Sequence, residues 1–394
     1  GPAVSVLSGV AQPVARRLSA LPPAAWSPAR AAGIRPCLLP GPGATARPPA
    51  GHCPAGCPDP PVNLPKESGL NLNWNDRPLI TTSTRGVFAE AISPFTDDGT
   101  LDLDGIRAQM DFLVACGASG VLLLGAQSEA DKLTNDERLS VVRAGIRHLN
   151  GRIPAIVDIS SPGIDNMALM GRRVMDAGAA GVRISPDVTL RTDEDIYNYF
   201  ERLSERLGEI PWILHDQPAV NGVNIAAYLL IRMLQDFEHL EGLCQGRASG
   251  LDKTVALRDA ETKGVRRLAI FEGNEGLHFP QALDRGVDGA FTAFAWPEAL
   301  IKLQELFEAG KRDDAEDVFD AYLPLMRHQQ QLIIGPAVHK QLLKVRGVIR
   351  SARLREPART LDAAEEADIE KLVRRMDRRT RQLGIGLPVH WPQR

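Results

Sequence analysis

The chain has 394 residues, a formal net charge of −3, 44% hydrophobic and 24% charged residues. That balance is ordinary for globular material and gives no positive field that would draw nucleic acid or anionic lipid. Five cysteines at irregular spacing argue against a disulfide scaffold, and no uncharged apolar run reaches the roughly 18–20 residues that cross a bilayer. A reducing, cytoplasmic setting with no nucleic-acid and no membrane partner is the expectation.

The first quarter of the chain is a different material. Residues 1–65 are rich in Pro, Ala, Arg and Gly, and no acidic residue precedes Asp59. Such a stretch buries too little apolar surface to offset the entropy of ordering it, so disorder is predicted over 1–75. Arg16, Arg17, Arg30, Arg35 and Arg47 in an acid-free context also fit an organelle transit peptide, with a mitochondrial or other organelle location as the alternative to the cytoplasm. Cys53 and Cys57 with His52 spell HCPAGC, but a closed zinc site needs four ligands and no second pair follows, so a solvated loop is expected and no metal is assigned.

From Gly86 short apolar runs alternate with helix-period segments, the written form of a βα series. The strands are GVFAEAI (86–92), GVLLLG (120–125), PAIVDI (154–159), GVRIS (181–185), WILHD (212–216), LEGLC (240–244), LAIFEG (268–273) and GAFTAF (289–294). Helices are predicted over 103–116, 134–149, 165–177, 192–207, 225–234, 251–263, 275–285 and 297–309. Thr134 and Glu137 form a capping box at the second of these, and Pro297 sits in the first turn of the last. Gly117, Gly178, Gly264 and Gly286 fall where a left-handed cap residue is wanted. Eight units of roughly 25–35 residues predict a (β/α)8 TIM barrel over 86–309, ahead of an open doubly wound sheet, for which the first strand lacks a G-x-G-x-x-G. Three more helices, 313–326, 336–346 and 363–383, form a C-terminal helical extension over 310–385.

In such barrels chemistry gathers at the carboxyl ends of the strands. Strand one ends in Ser93-Pro94-Phe95, and strand two runs into Gly125, Ala126, Gln127, Ser128 and Glu129, a small-residue turn whose amides could hold a carboxylate. Strand five ends in His215 and Asp216, strand six in Cys244, and strand seven in Glu272-Gly273-Asn274-Glu275. Asp216 and Asn274 are expected at the mouth, orienting a polar ligand. Glu129 is expected to brace its turn by accepting backbone N–H bonds. Trp212 and Trp296 are read as packing. Glu272 and Glu275 could hold Mg2+ but are read as solvated loop charges.

The ordered set of SPF, a G-x-x-x-E turn, an x-D-x-P turn after strand five and G-L-x before the sixth helix resembles the dihydrodipicolinate synthase/N-acetylneuraminate lyase family over about residues 86–350. The resemblance implies lyase chemistry of the aldolase or hydro-lyase type on pyruvate or another small 2-oxo acid. It implies no cofactor, and a homo-oligomer, dimer or tetramer. In the family a strand-six Lys forms a Schiff base that serves as an electron sink, a strand-five Tyr moves protons, and a G-T-T-G-E turn binds the carboxylate. Laid on this sequence, that Lys falls on Cys244, the Tyr on His215, the two Thr on Ala126 and Gln127, and the second Gly on Ser128. Gly125 and Glu129 are kept, and the Arg that follows the Tyr falls on Val220. Anchoring strand six on ASG (248–250) moves the Lys to Gly246, again without an amine. Lys253 is the nearest amine in sequence.

Three readings of Cys244 stand open: a small buried apolar residue, a thiolate paired with His215, or a misread CQGR stretch hiding a Lys. Two functions follow. The chain is an aldolase-type lyase with His215 and Cys244 at the catalytic positions and Ser93, Gly125, Ala126, Gln127, Ser128, Asp216 and Asn274 binding substrate. Alternatively it is a catalytically silent member that binds a small carboxylate or serves as a subunit of an oligomer.

Overall fold

The computed structural model describes residues 77–246, 250–331 and 333–384. The chain divides into two units, Gly1–Pro65 and Lys66–Arg394, and every described residue belongs to the second. The segment 1–75 and the cysteines of HCPAGC therefore lie outside the described residues.

Eight parallel strands close into a barrel in sequence order: β1 (Gly86–Glu90), β2 (Gly120–Leu123), β3 (Ala155–Asp158), β4 (Gly181–Ile184), β5 (Trp212–Asp216), β6 (Leu240–Gln245), β7 (Ala269–Glu272) and β8 (Gly289–Thr292). These strands are buried on both faces, which is why they read as continuous apolar runs rather than as alternation. Side chains of one parity fill the interior, where Phe88, Leu122, Ile156, Ile213, Phe271 and Phe291 pack together with Cys244. Large and small residues must alternate around that ring. A Cβ on Gly120 would stand 2.2 Å from the Phe88 ring, and one on Gly289 would stand 1.9 Å from the Gly86 carbonyl oxygen. The opposite parity packs on the helices, as in the near-parallel stack of Trp212 on Phe200 at 5.7 Å.

The surrounding helices are α1 (Leu103–Ala115), α2 (Asn135–Leu149), α3 (Ile164–Asp176), α4 (Asp193–Leu207), α5 (Pro218–Asn221), α6 (Ala227–Asp236), α7 (Gly250–Thr262), α8 (Phe279–Asp284) and α9 (Pro297–Glu308). Thr134 and Glu137 make the expected reciprocal cap, and Thr192 with Asp195 makes a second. Two features depart from the sequence reading. Pro218 opens the short α5 where none was expected, and Gly222 closes it at φ +74°. The helix expected over 275–285 breaks into a tight turn, Asn274–Gly276, followed by α8, because Glu275 takes a left-handed conformation at φ +61°.

Beyond the barrel lie α10 (Arg312–Gln329), α11 (Gly335–Val345) and α12 (Ala363–Gln382). They are tied to the mouth by buried polar bonds. Gln329 receives the Ala295 N–H at 3.1 Å and donates to the Ala293 carbonyl at 2.7 Å. Glu129 departs from its expected role: it accepts the Lys340 ammonium of α11 at 2.6 Å, Lys132 at 2.9 Å and the Arg355 N–H at 3.0 Å. It thus clamps the C-terminal segment to the turn after β2 instead of holding its own turn's amides. Lys340 is fully buried and also donates to the Arg353 carbonyl at 2.9 Å, over the Phe95 ring. Removing the anion would strand that ammonium. Glu129→Gln is expected to lower unfolding stability by about 3–5 kcal/mol, measured by urea denaturation.

Candidate active site

The carboxyl end of the barrel brings together charged side chains that share the inward parity of their strands. Glu90 follows Phe88 by two on β1, Asp158 follows Ile156 on β3, Arg183 lies opposite Asp158 on β4, and His215 lies opposite Cys244. Arg183 is at the centre, 3% exposed, with its Nε 2.7 Å from Asp158 Oδ2. Asp158 Oδ1 in turn accepts the Ser160 hydroxyl at 2.6 Å. Ser160 Oγ receives the Ser185 N–H at 2.9 Å, and the Ser185 hydroxyl meets His215 Nδ1 at 3.0 Å. One polar chain therefore runs from the guanidinium across three strands to the imidazole.

This setting fixes protonation states. Burial, and then the Arg183 charge, hold His215 well below its ordinary 6.5, so the ring is neutral at physiological pH. Burial pushes the Cys244 thiol up to about 12, against the pull of Arg183. The charged neighbour of Cys244 is thus a guanidinium, and the imidazolium that a thiolate pair requires is missing. Among the three readings of Cys244, the small buried residue packed beside Phe271 fits this environment.

The turn after β2 is a single tight turn over Ala126–Ser128, with the Ser128 hydroxyl donating to the Gly125 carbonyl at 2.6 Å. Its amides are already engaged. The Gln127 N–H donates to Glu90 Oε1 at 2.6 Å, and Gly125 lies so close to that carboxyl that an added Cβ would stand 2.4 Å from it. Burial pushes Glu90 up to about 7, while Arg183 and the amides of Gln127 and Ser128 pull it back. Glu275, from the turn after β7, accepts the Ala293 N–H and the Thr292 hydroxyl. Burial first, and then the negative charge of Glu90, push Glu275 up to about 8.

Other expected site residues are placed as follows. Ser93 is fully buried and its hydroxyl has no partner among the described residues. Ala126 is exposed, while Ser128 is buried. Asn274 stands at the strand-seven end with φ +51°, its carbonyl accepting from Gln330. Asp216 is a correction: it does not line the mouth. It follows inward-facing His215 and therefore faces the helices, where it takes the Lys253 ammonium of α7 at 2.5 Å. Lys253 is thereby held outside the barrel. Glu272 is likewise no solvated loop charge. It is 2% exposed on the helix side of β7, one oxygen has no partner among the described residues, and burial pushes it up to about 8. No group of three or more His, Cys, Asp or Glu among the described residues is placed to hold a metal. Glu90, Asp158 and Arg183 were not singled out from the sequence, although a charge inside an otherwise apolar strand was their signal.

Comparison with known proteins agrees with this architecture. The model of the dihydrodipicolinate synthetase family matches residues 83–376. L-2-keto-3-deoxyarabonate dehydratase of Azospirillum brasilense is 30% identical over 304 residues, spanning 75% of this chain and 96% of its own. A 4-hydroxy-tetrahydrodipicolinate synthase of Sulfurihydrogenibium is 24% identical over 297 residues, 74% of this chain and 97% of its own. The crystal structure of a dihydrodipicolinate synthase from Rhodopseudomonas palustris superposes with a TM-score of 0.74 at 36% identity, covering 76% of this chain and 99% of that one. The sialic acid aldolase of Ruminococcus gnavus, at 18% identity and a TM-score of 0.69 over 76% of this chain and 99% of its own, shares the fold.

Two outcomes follow from the protonation states. With its thiol pushed up to about 12, Cys244 is expected to resist iodoacetamide near pH 7, read by peptide mass spectrometry; rapid labelling would contradict this environment. Glu272 has a folded pKa raised from 4.5 to about 8, so the stability it contributes is full below 4.5 and is lost as pH rises through 8. Glu272→Gln should therefore gain in urea stability over the unaltered chain between those values and level off above the upper one.

Proposed function

This chain belongs to the dihydrodipicolinate synthetase family, and from that premise we propose that its barrel mouth binds a small 2-oxo acid and acts as a lyase-type site that needs no Schiff base at position 244. The observation that carries the reading is the Arg183 guanidinium at the centre of the mouth, where position 244 supplies no amine. Lys132 and Lys340 are held by Glu129, and Lys253 by Asp216 on the helix side.

In this reading Arg183 takes over the electron-sink duty as an electrostatic partner for the 2-oxo oxygen, on which negative charge collects when a proton leaves the neighbouring carbon. Glu275, raised to about 8, lies in the range where a carboxyl exchanges protons near neutral pH, and His215 stands neutral beside Ser185. Neutral His215 accepts the proton from the carbon beside the carbonyl, and protonated Glu275 supplies a proton to a departing hydroxyl, so that water leaves. This carbon–oxygen version matches the dehydratase activity in the name of the Azospirillum relative. Breaking a carbon–carbon bond would use the same charge stabilisation. Ser93, Asn274 and the turn 125–128 would orient the ligand.

A second reading, a silent member that binds a carboxylate or serves in an oligomer, is favoured by one observation: the Gln127 amide is already taken by Glu90. As a family member the chain is proposed to assemble as a dimer or tetramer. Calorimetric titration with a panel of 2-oxo acids should give heat, and water loss from 2-keto-3-deoxyarabonate should fall at least about 100-fold in Arg183→Met, in line with the loss of one preorganised oxyanion donor. Borohydride with pyruvate should leave every Lys unmodified. Binding without turnover selects the silent reading; no heat from any acid, or a reduced adduct on a Lys, overturns the proposal.

A further inference from the structure

Glu90 is the acidic residue in the β1 run GVFAE, and its carboxyl is held by the turn after β2. The fit is close. Gln127 donates its backbone N–H at 2.6 Å, and the carboxyl carbon is where a Cβ on Gly125 would have to go, 2.4 Å away. Glycine at 125 is therefore required by this contact: any side chain there would expel the carboxyl. Gly125, Ala126 and Ser128 flank Gln127 with small side chains, and the Glu90 carboxyl takes the Gln127 amide of this turn.

We propose that Glu90 is a built-in occupant of the carboxylate cradle at Gly125–Ser128, a specificity-determining residue that any ligand carboxylate must displace. The inference rests on the mouth being a binding site for small carboxylates, as argued above. Three charged or titratable groups face Glu90 besides the turn: Arg183 from β4 and Asp158 from β3 act on its charge, and Glu275 from the strand-seven end repels it. Arg183 is paired with Asp158 at 2.7 Å, so it does not draw Glu90 out of the cradle. A ligand carboxylate arriving at the same amides would compete with the Glu90 carboxyl for them and would bind only to the fraction of molecules whose cradle is empty. Its apparent affinity is reduced by that fraction. A ligand without a carboxylate makes no claim on the amides and is indifferent to Glu90.

The test compares the unaltered chain with Glu90→Ala and Glu90→Gln, using pyruvate, acetate and the carboxylate-free hydroxyacetone as calorimetric probes. Glu90→Ala is expected to bind pyruvate and acetate at least about tenfold tighter than the unaltered chain, with hydroxyacetone unchanged. Glu90→Gln, which keeps the size and loses the charge, should fall between the two and guards against a folding defect in the alanine variant. Equal or weaker carboxylate binding in both variants overturns the inference, as does a gain that extends to hydroxyacetone. If the unaltered chain binds 2-oxo acids and the variants gain nothing, the inference fails and the functional reading stands. If Glu90→Ala binds acetate but neither protein binds any 2-oxo acid, the cradle assignment stands and the substrate reading fails; binding of neither probe by any variant overturns both.

Discussion

The mouth of this barrel is organised by a cation that cannot shed its charge. A guanidinium stays protonated at any physiological pH, so a buried Arg183 must be balanced by its surroundings. Asp158 does so directly at 2.7 Å, and Ser160 holds the other carboxylate oxygen at 2.6 Å. The same charge reaches the remaining groups of the mouth: it lowers His215, pulls down on Cys244 against burial, and partly offsets the desolvation of Glu90 and Glu275. Burial is the larger cause in every case, so the outcome is a neutral imidazole, a neutral thiol and two carboxyls that titrate near neutrality, with Arg183 acting on all four.

Closure of the sheet makes that arrangement possible. Inward positions below the mouth are filled by Phe88, Phe271 and Phe291, whose rings lie 5.0–5.6 Å apart. This plug keeps water from reaching the charged layer from below, where Coulomb interactions would otherwise weaken. From above, the C-terminal helices are fastened by Glu129 and Gln329.

Much of the scaffold was legible because it depends on local rules. Apolar runs gave all eight strands, Thr134 and Glu137 gave a cap, and Gly117, Gly178, Gly264 and Gly286 each adopt the left-handed conformation expected of them. The break at Glu275 was not legible, since a left-handed glutamate is held there by its side chain reaching Ala293, a long-range bond with no local signature. Asp216 was assigned to the wrong side although the information was present: on a strand with His215 inward, its neighbour must face outward. The charged layer was missed for a different reason. Glu90, Asp158 and Arg183 each sit singly in an apolar strand, and only closure of the barrel shows that they meet. Whether a given charge is isolated or partnered is a property of the tertiary fold.

Cys244 is coupled to Arg183 through electrostatics. Two cations in one low-dielectric pocket repel strongly, and Asp158 can balance only one of them directly. A Lys at 244 would share the space beside Arg183, where the thiol already lies within 3.2 Å of the point a Cβ on Gly273 would occupy. A second buried cation at position 244 would therefore be costly in this mouth. Arg183 on β4 gives the mouth a permanent buried cation, and Asp158 balances it. In the proposed reading the chemistry of this mouth runs through charge stabilisation by Arg183 and proton exchange by Glu275, which titrates near neutrality.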